Sequence, residues 1–159
     1  MMRYTGRKGW QCGFDDAWNL DCTLAPIILA GLLRFKEMKR HGVSNKFLFD
    51  LAEQGVIGQP DENFCFSDED LEKGKIEWEK TLDKMIFAFD ENNDVDKKEF
   101  DFEIDIVEGE KLENGTISSN IQVSNEAEWA RYSEESKKFK ERQQEGFELF
   151  GRYYSCLWD

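Results

Sequence analysis

Apolar side chains recur at helical spacing in three long segments of this chain and at an alternating spacing in a fourth. The helical segments cover residues 15–42, 68–90 and 125–158. Their apolar residues fall at intervals that place them on one face of an α-helix. Between the second and third segments, apolar and acidic residues alternate, which is typical of a half-buried strand. The pattern predicts a mostly α protein, a compact bundle of three to four helices with a small acidic β-hairpin insertion.

The first helical segment carries the clearest start and stop signals. Asp15 and Asp16 suit a helix N-terminus, because their carboxylates can accept hydrogen bonds there and favour the helix dipole. Gly42 suits its end. Pro26 lies inside the segment and should kink the helix or split it in two, because proline has no N–H to donate. The apolar face is wide, so we expect a buried central helix.

Polar caps delimit the other helices. Ser67 precedes an acidic turn and predicts a helix from Asp68 to about Asp90, after a short helix over residues 46–54. Asn125 suits the cap of the last helix. Glycine is a poor helix former, so Gly146 should weaken the middle of that helix.

The alternating segment is expected to be an insertion, residues 94–124, in a single domain whose helical core is 15–90 and 125–158. A tight turn at 113–116 and a return strand over 117–123 would complete a hairpin. A two-stranded ribbon is marginally stable alone, so it should pack on the helices. The alternative is a mobile acidic insertion. The strand signal rests on the alternation of Phe100, Phe102, Ile104 and Ile106 with Asp101, Glu103 and Asp105.

Charge is concentrated in the middle of the chain. The net charge is −13 over 159 residues, and residues 61–113 alone carry seven basic and twenty acidic side chains. Such a field repels nucleic acid and anionic membranes and attracts basic partners or cations. We therefore expect neither direct nucleic-acid binding nor membrane association. A solvated acidic face that keeps the protein in solution is the alternative.

The cysteines and the N-terminus indicate a cytoplasmic protein. The four cysteines form no CxxC pair, and the first ten residues contain no apolar stretch like that of a signal peptide. The longest near-apolar run, residues 24–33, is about half the length that a membrane span needs. We expect reduced thiols in a cytosol.

Three short sequence blocks follow one another at fixed order and spacing. They are WNLD, TLA and LRFKE within residues 18–37, LDKMIFAF at 82–89, and EGFELF at 145–150 with a terminal LW at 157–158. Together they resemble a group of small, uncharacterised proteins encoded by tailed bacteriophages. The resemblance implies a phage origin and a site of action in the host cytoplasm, and it brings no catalytic residues with it. The usual members of the group connect the second block to the last helix briefly, so the acidic segment between Asp90 and Val123 is a local elaboration.

One acidic run is similar to a calcium-binding loop. Asp90, Asn92 and Asp94 alternate, and Asp101 occupies the twelfth position. The sixth position of such a loop needs glycine, and here it is Val95. The last ligand would be an aspartate rather than a bidentate glutamate. We interpret the run as an acidic helix exit and predict no metal.

Catalytic or zinc-binding arrangements are weakly supported. Cys12, Cys22, Cys65 and His41 have no spacing typical of a zinc site. His41 is the only histidine, and the sequence has neither a nucleophile elbow nor a glycine-rich phosphate loop. The sequence therefore predicts a non-enzymatic protein without a cofactor.

The leading functional hypothesis is a phage accessory protein that binds and neutralises a host component. A dense row of carboxylates can imitate nucleic acid and occupy the basic groove of a host nuclease or nucleic-acid-binding protein, as an anti-defence inhibitor would. The candidate contacts to this basic host protein are acidic residues of the insertion: Asp94, Asp96, Asp101, Glu103, Asp105, Glu108 and Glu110.

Two alternatives place function elsewhere. A sponge for a host immune nucleotide would stack the ligand on tryptophan and hold its anion with arginine. A phage structural or assembly protein would form a homo-oligomer through aromatic residues of the last helix. A purely structural contact between a buried aspartate and an arginine is the competing interpretation of the sponge residues, which are Trp18, Asp21, Arg34, Asp83, Arg152 and Trp158.

Overall fold

Four α-helices and two antiparallel strand pairs make up the part of the chain that the structure, a computed structural model, describes: residues 3–4, 10–11, 18–38, 42–111 and 117–157. The predicted mostly α fold with a β-hairpin is confirmed. Two strands precede the helices and two lie between the third helix and the fourth. In chain order the elements are β1 (Arg3–Tyr4), β2 (Trp10–Gln11), α1 (Leu20–Glu37), α2 (Asn45–Glu53), α3 (Asp68–Phe89), β3 (Ile104–Lys111), β4 (Ile117–Val123) and α4 (Glu126–Tyr153).

The chain divides into two compact units. The first comprises residues 1–91 and 142–159, and the second comprises residues 92–141. The second unit is larger than the predicted insertion at 94–124, because it also includes the first four turns of α4. We call residues 92–141 the acidic unit.

The core of the first unit forms around α3. Trp78, Leu82 and Met85 lie on one face of this helix and are fully buried, together with Phe47 and Leu48 of α2. The rings of Phe47 and Trp78 meet edge to face with centroids 4.8 Å apart, an arrangement that suits the charge distribution of aromatic rings. The burial of these large side chains provides the main hydrophobic stabilisation of this unit.

The helix α1 differs from its prediction in position and in continuity. It packs along α3 but buries only Leu32 fully, and Ile27 remains 52% exposed. The expected buried central helix is therefore wrong for this segment, and α3 takes that place. The helix also runs unbroken past Pro26, so the predicted split does not occur. Asp15 and Asp16 lie outside the described residues.

The caps of α3 and α4 follow the sequence signals. Ser67 Oγ accepts a hydrogen bond from the backbone N–H of Asp70 at 3.2 Å, and α3 then runs to Phe89, one residue short of the predicted end. Asn125 Oδ1 likewise accepts from the backbone N–H of Glu128 at 3.2 Å. Each cap satisfies a backbone donor that the helix itself leaves without a partner.

Gly146 has a packing role that the sequence did not reveal. A Cβ atom at this position would lie 2.5 Å from the Cβ of Ala88 and would also clash with the backbone carbonyl oxygen of Lys84. Glycine at this position therefore lets the last turns of α4 approach α3 closely, at the cost of its low helix propensity.

The β-hairpin begins later than predicted. Phe100 and Phe102 precede the strand β3, which starts at Ile104 and pairs with β4 in an antiparallel register. The return strand has the predicted bounds, 117–123. The predicted turn residues Glu113–Thr116 lie outside the described residues.

Candidate partner-binding surface and aromatic pocket

The hairpin presents an apolar face to solvent. Ile106 pairs directly with Ile121 across the two strands, and these side chains are 74% and 67% exposed. Ile104 pairs with Val123 on the same face, because alternate residues of a strand point to the same side. Ile104 also lines a cavity with Trp129 of α4. The expected packing of the ribbon on a helix is therefore limited to its base.

Carboxylates occupy the opposite side of this ribbon. Glu103 and Asp105 alternate with the isoleucines, and both are exposed. Glu103 extends the ladder beyond the strands, since its backbone N–H donates to Ser124 Oγ at 2.8 Å and its carbonyl accepts from the Ser124 N–H at 3.0 Å. Asp101 is also exposed, two residues earlier. Glu108 and Glu110 lie on β3, with an irregular register between Glu108 and Lys111.

Two of the predicted contact residues instead form hydrogen bonds within the acidic unit. Asp94 Oδ1 accepts from the backbone N–H of Asp96 at 3.1 Å and caps a short 3₁₀ turn, Val95–Lys97. Asp96 Oδ1 accepts from the hydroxyl of Tyr132 at 2.7 Å. This hydrogen bond raises the pKa of Tyr132, because the carboxylate favours the protonated phenol. Two of the predicted contact residues thus have a structural role, whereas Asp101, Glu103 and Asp105 are exposed.

The acidic unit carries a strong negative charge. Residues 92–141 contain fourteen acidic and seven basic side chains, a net charge of −7. Several basic groups form ion pairs within the unit: Lys98 Nζ lies 2.6 Å from Glu135 Oε2, and Lys138 Nζ lies 2.5 Å from Glu134 Oε1. Each lysine lowers the pKa of its glutamate through this hydrogen bond. Two of the seven basic side chains of the unit are therefore held in ion pairs with its own glutamates.

An aromatic pocket lies at the base of the hairpin, between the chain that leads into β3 and the first turns of α4. Its volume is about 300 Å³, at the lower end of the range for ligand-binding sites. The rings of Trp129 and Tyr132 stack with centroids 5.5 Å apart, and Phe102 meets Trp129 edge to face at 5.3 Å. We call this cavity the aromatic pocket; its lining residues are Asp96, Lys98, Phe100, Phe102, Ile104, Trp129 and Tyr132.

Sequence reasoning did not find this pocket. Phe100 and Phe102 are two residues apart, and Trp129 and Tyr132 are three apart on a helix. Each pair therefore faces one way, but the sequence does not show that the two pairs meet. The sequence places the first pair in the predicted strand and the second in the last predicted helix.

The described residues of the nucleotide-sponge hypothesis are exposed at the surface. Trp18 is 76% exposed, and Asp21 is exposed as well. Arg34 forms an exposed ion pair with Glu37 at 3.2 Å. No charged residue is buried within the part of the chain that the structure describes, so the expected buried contact between aspartate and arginine is wrong there.

The other members of that set belong to separate contacts. Asp83 forms an ion pair with Lys36. The backbone carbonyl of Arg152 accepts a hydrogen bond from Lys46 Nζ at 2.7 Å. Trp158 lies outside the described residues. In both contacts the partner is a lysine from outside the set.

Among the described residues, no three His, Cys, Asp or Glu side chains gather as metal ligands would. Cys22 and Cys65 are exposed and Cys156 is buried, while Cys12 and His41 lie outside the described residues.

Comparisons with protein-family models, with curated proteins and with solved structures find no match for this chain. The resemblance to phage proteins therefore stays a prediction. In the described ranges, no helix has both the length and the apolar character needed to cross a membrane.

Proposed function

We propose that this protein is a phage accessory protein that binds a basic host protein through the hairpin of the acidic unit and thereby neutralises it, as an anti-defence inhibitor would. The observation that carries the proposal is the exposed pair Ile106 and Ile121 in a ribbon whose other side carries Glu103 and Asp105. The host cytoplasm is the expected place of action.

The apolar face supports a protein partner. Exposed apolar side chains that lie next to one another on a strand pair are typical of interaction surfaces, whereas isolated ones are common everywhere. Stable interfaces combine an apolar centre with a polar rim. The Ile106–Ile121 pair can provide such a centre, and the carboxylates of the ribbon can provide part of the rim.

The carboxylate row supports a basic partner. Alternate residues on a strand lie about 7 Å apart, so Glu103 and Asp105 extend a regular line of negative charge. One DNA strand has a phosphate about every 3.4 Å along its axis, and a protein groove that attracts phosphates will also attract such a line. Occupation of a nucleic-acid-binding groove would block the activity of the host protein without any chemistry in the inhibitor.

Capture from a host lysate with the tagged protein tests the proposal. The first variant neutralises the row with Asp101→Asn, Glu103→Gln and Asp105→Asn. Surface ion pairs contribute modestly, and we expect three of them to change affinity by about 5- to 100-fold in total. Capture of the basic protein should fall with this variant by a corresponding factor.

A matched control removes the same charge from the first unit. Glu37→Gln, Glu53→Gln and Glu62→Gln change three exposed carboxylates there. This control should capture the partner as well as the native protein does. Equal capture by native protein and by the hairpin variant, or equal loss with both variants, would show that the hairpin does not provide the contact.

A further inference from the structure

The aromatic pocket has the chemistry of a site for an organic cation. Four aromatic rings contribute to its wall, and the faces of such rings attract positive charge. Asp96 adds a carboxylate at the same wall. Its Oδ1 accepts from Tyr132 at 2.7 Å, and a carboxylate has two oxygens with about four acceptor positions, so it can accept further hydrogen bonds.

The one basic side chain of the wall is already neutralised. Lys98 Nζ lies 2.6 Å from Glu135 Oε2 and forms an ion pair with it. A cation that enters the pocket therefore meets the ion pair and not an isolated ammonium group. The Asp96 carboxylate accepts its hydrogen bond from Tyr132, which is a neutral phenol. This contact therefore does not neutralise the charge of Asp96.

A guanidinium group already uses this aromatic cluster within the chain. The Arg131 guanidinium lies over the ring of Phe100, 4.8 Å from its centroid, while its Nη2 lies 2.8 Å from Glu128 Oε2. This arrangement of ring face and carboxylate is what a planar guanidinium favours. The pocket offers the same two partners, an aromatic wall and the carboxylate of Asp96.

An anionic ligand is disfavoured at this place. The acidic unit has a net charge of −7, and a nucleotide would bring additional negative charge into that field. A nucleobase could stack on Trp129, but its phosphates would be repelled by the surrounding carboxylates. The charge of the unit therefore favours a cation over a nucleotide.

We propose that the aromatic pocket binds a guanidinium group, presented by an arginine side chain of the protein partner. The identification of a partner as the carrier rests on the proposed function, whereas binding of the guanidinium itself does not. The apolar pair Ile106–Ile121 and the pocket are linked through Ile104, which lies on the same face of the hairpin as that pair and also lines the pocket. The general negative charge of the acidic unit attracts a basic partner without fixing its orientation. An arginine side chain held in the pocket would fix that orientation.

Nuclear magnetic resonance of the full chain with Nα-acetylarginine amide as the probe tests this proposal. The indole N–H signal of Trp129, assigned with the variant Trp129→Phe, should shift on titration with a dissociation constant on the order of millimolar, as expected for a small ligand. The uncharged isostere Nα-acetylcitrulline amide should cause no saturable shift. Saturable binding of citrulline, or of adenosine monophosphate instead of arginine, would overturn the proposal.

Two variants separate the pocket from the general field of the unit. Asp96→Asn should weaken binding of the arginine probe about tenfold, because a charge-assisted hydrogen bond is lost. Glu141→Gln removes one charge from the same unit outside the pocket and should leave the dissociation constant within about twofold of the native value, since it is an exposed surface charge. If both variants weaken binding equally, the pocket is not the site.

The outcome distinguishes the two proposals. Probe binding that depends on Asp96 supports the pocket even if no basic protein is captured from the lysate. The absence of a captured basic protein would refute the proposed function instead. Conversely, the absence of any Trp129 shift would refute the pocket, while capture that depends on Asp101, Glu103 and Asp105 would still support the proposed function. The spectrum of Asp96→Asn also shows whether this variant is folded.

Discussion

Gly146 provides a sharp test of how α3 and α4 pack in the first unit. In Gly146→Ala the new Cβ would lie 2.5 Å from the Cβ of Ala88 and would clash with the backbone carbonyl of Lys84, so the helices must separate. Overpacking of this kind costs about 1–3 kcal/mol, and the close backbone contact places this site at the upper end. Alanine recovers up to about 1 kcal/mol through its helix propensity. We expect a net loss of about 2 kcal/mol in the free energy of unfolding.

Thermal unfolding followed by circular dichroism measures this loss. A change of about 2 kcal/mol should lower Tm by about 4–8 °C in a chain of this size. Gly151 lies on the same helix, and a Cβ there would meet nothing within 4 Å. Gly151→Ala should therefore leave Tm unchanged or raise it by a few degrees. A Gly146→Ala variant as stable as the native protein, or an equal fall in both variants, would refute the close approach of the two helices.

Two further predictions concern individual hydrogen bonds. Ser67→Ala removes the cap of α3 and should lower the free energy of unfolding in urea by about 1 kcal/mol. The same change should raise the pKa of Asp70, because the hydrogen bond from Ser67 lowers it. An unchanged titration of the Asp70 carboxyl group would contradict this. Burial raises the pKa of Tyr153 to about 12, and the hydrogen bond to Asp50 acts in the same direction. The folded state therefore holds the hydroxyl proton of Tyr153 more tightly than the unfolded chain does. This contribution to the free energy of unfolding is complete below about pH 10. It should fall by up to about 3 kcal/mol as the pH rises towards 12. In Tyr153→Phe this part of the fall should disappear, and an identical pH profile would exclude Tyr153 as its cause.

Local signals in the sequence were sufficient for the bounds of α3 and for the caps of α3 and α4, whereas α1 ends at Glu37, short of the predicted Gly42. Ser67 and Asn125 cap their helices because a short polar side chain before an acidic turn satisfies backbone donors in its own neighbourhood. The same locality explains the correct bounds of β4. Such features depend on residues within one turn and need no knowledge of the tertiary structure.

Tertiary packing determined what the sequence could not predict. The apolar face of α1 is wide, yet the first unit uses Leu32 and leaves Ile27 half exposed, because α3 with Trp78 occupies the centre. The aromatic pocket joins Phe102 and Trp129, which are distant in the chain, and neither residue signals the other. A pattern of spacing shows which residues share a face, and only the fold shows what that face meets.

The most direct measurement for the central claim is hydrogen–deuterium exchange of the protein alone and in complex with the basic protein it captures. Exchange reports the protection of individual backbone segments, so it locates the contact without any substitution. We predict new protection over residues 101–107 and 119–123 of the acidic unit, reversed when the salt concentration rises from about 0.1 M to about 1 M, since the Debye length then falls from about 10 Å to about 3 Å. Protection confined to α1, α2 and α3, or protection of the hairpin that salt does not change, would contradict a contact made by the acidic hairpin.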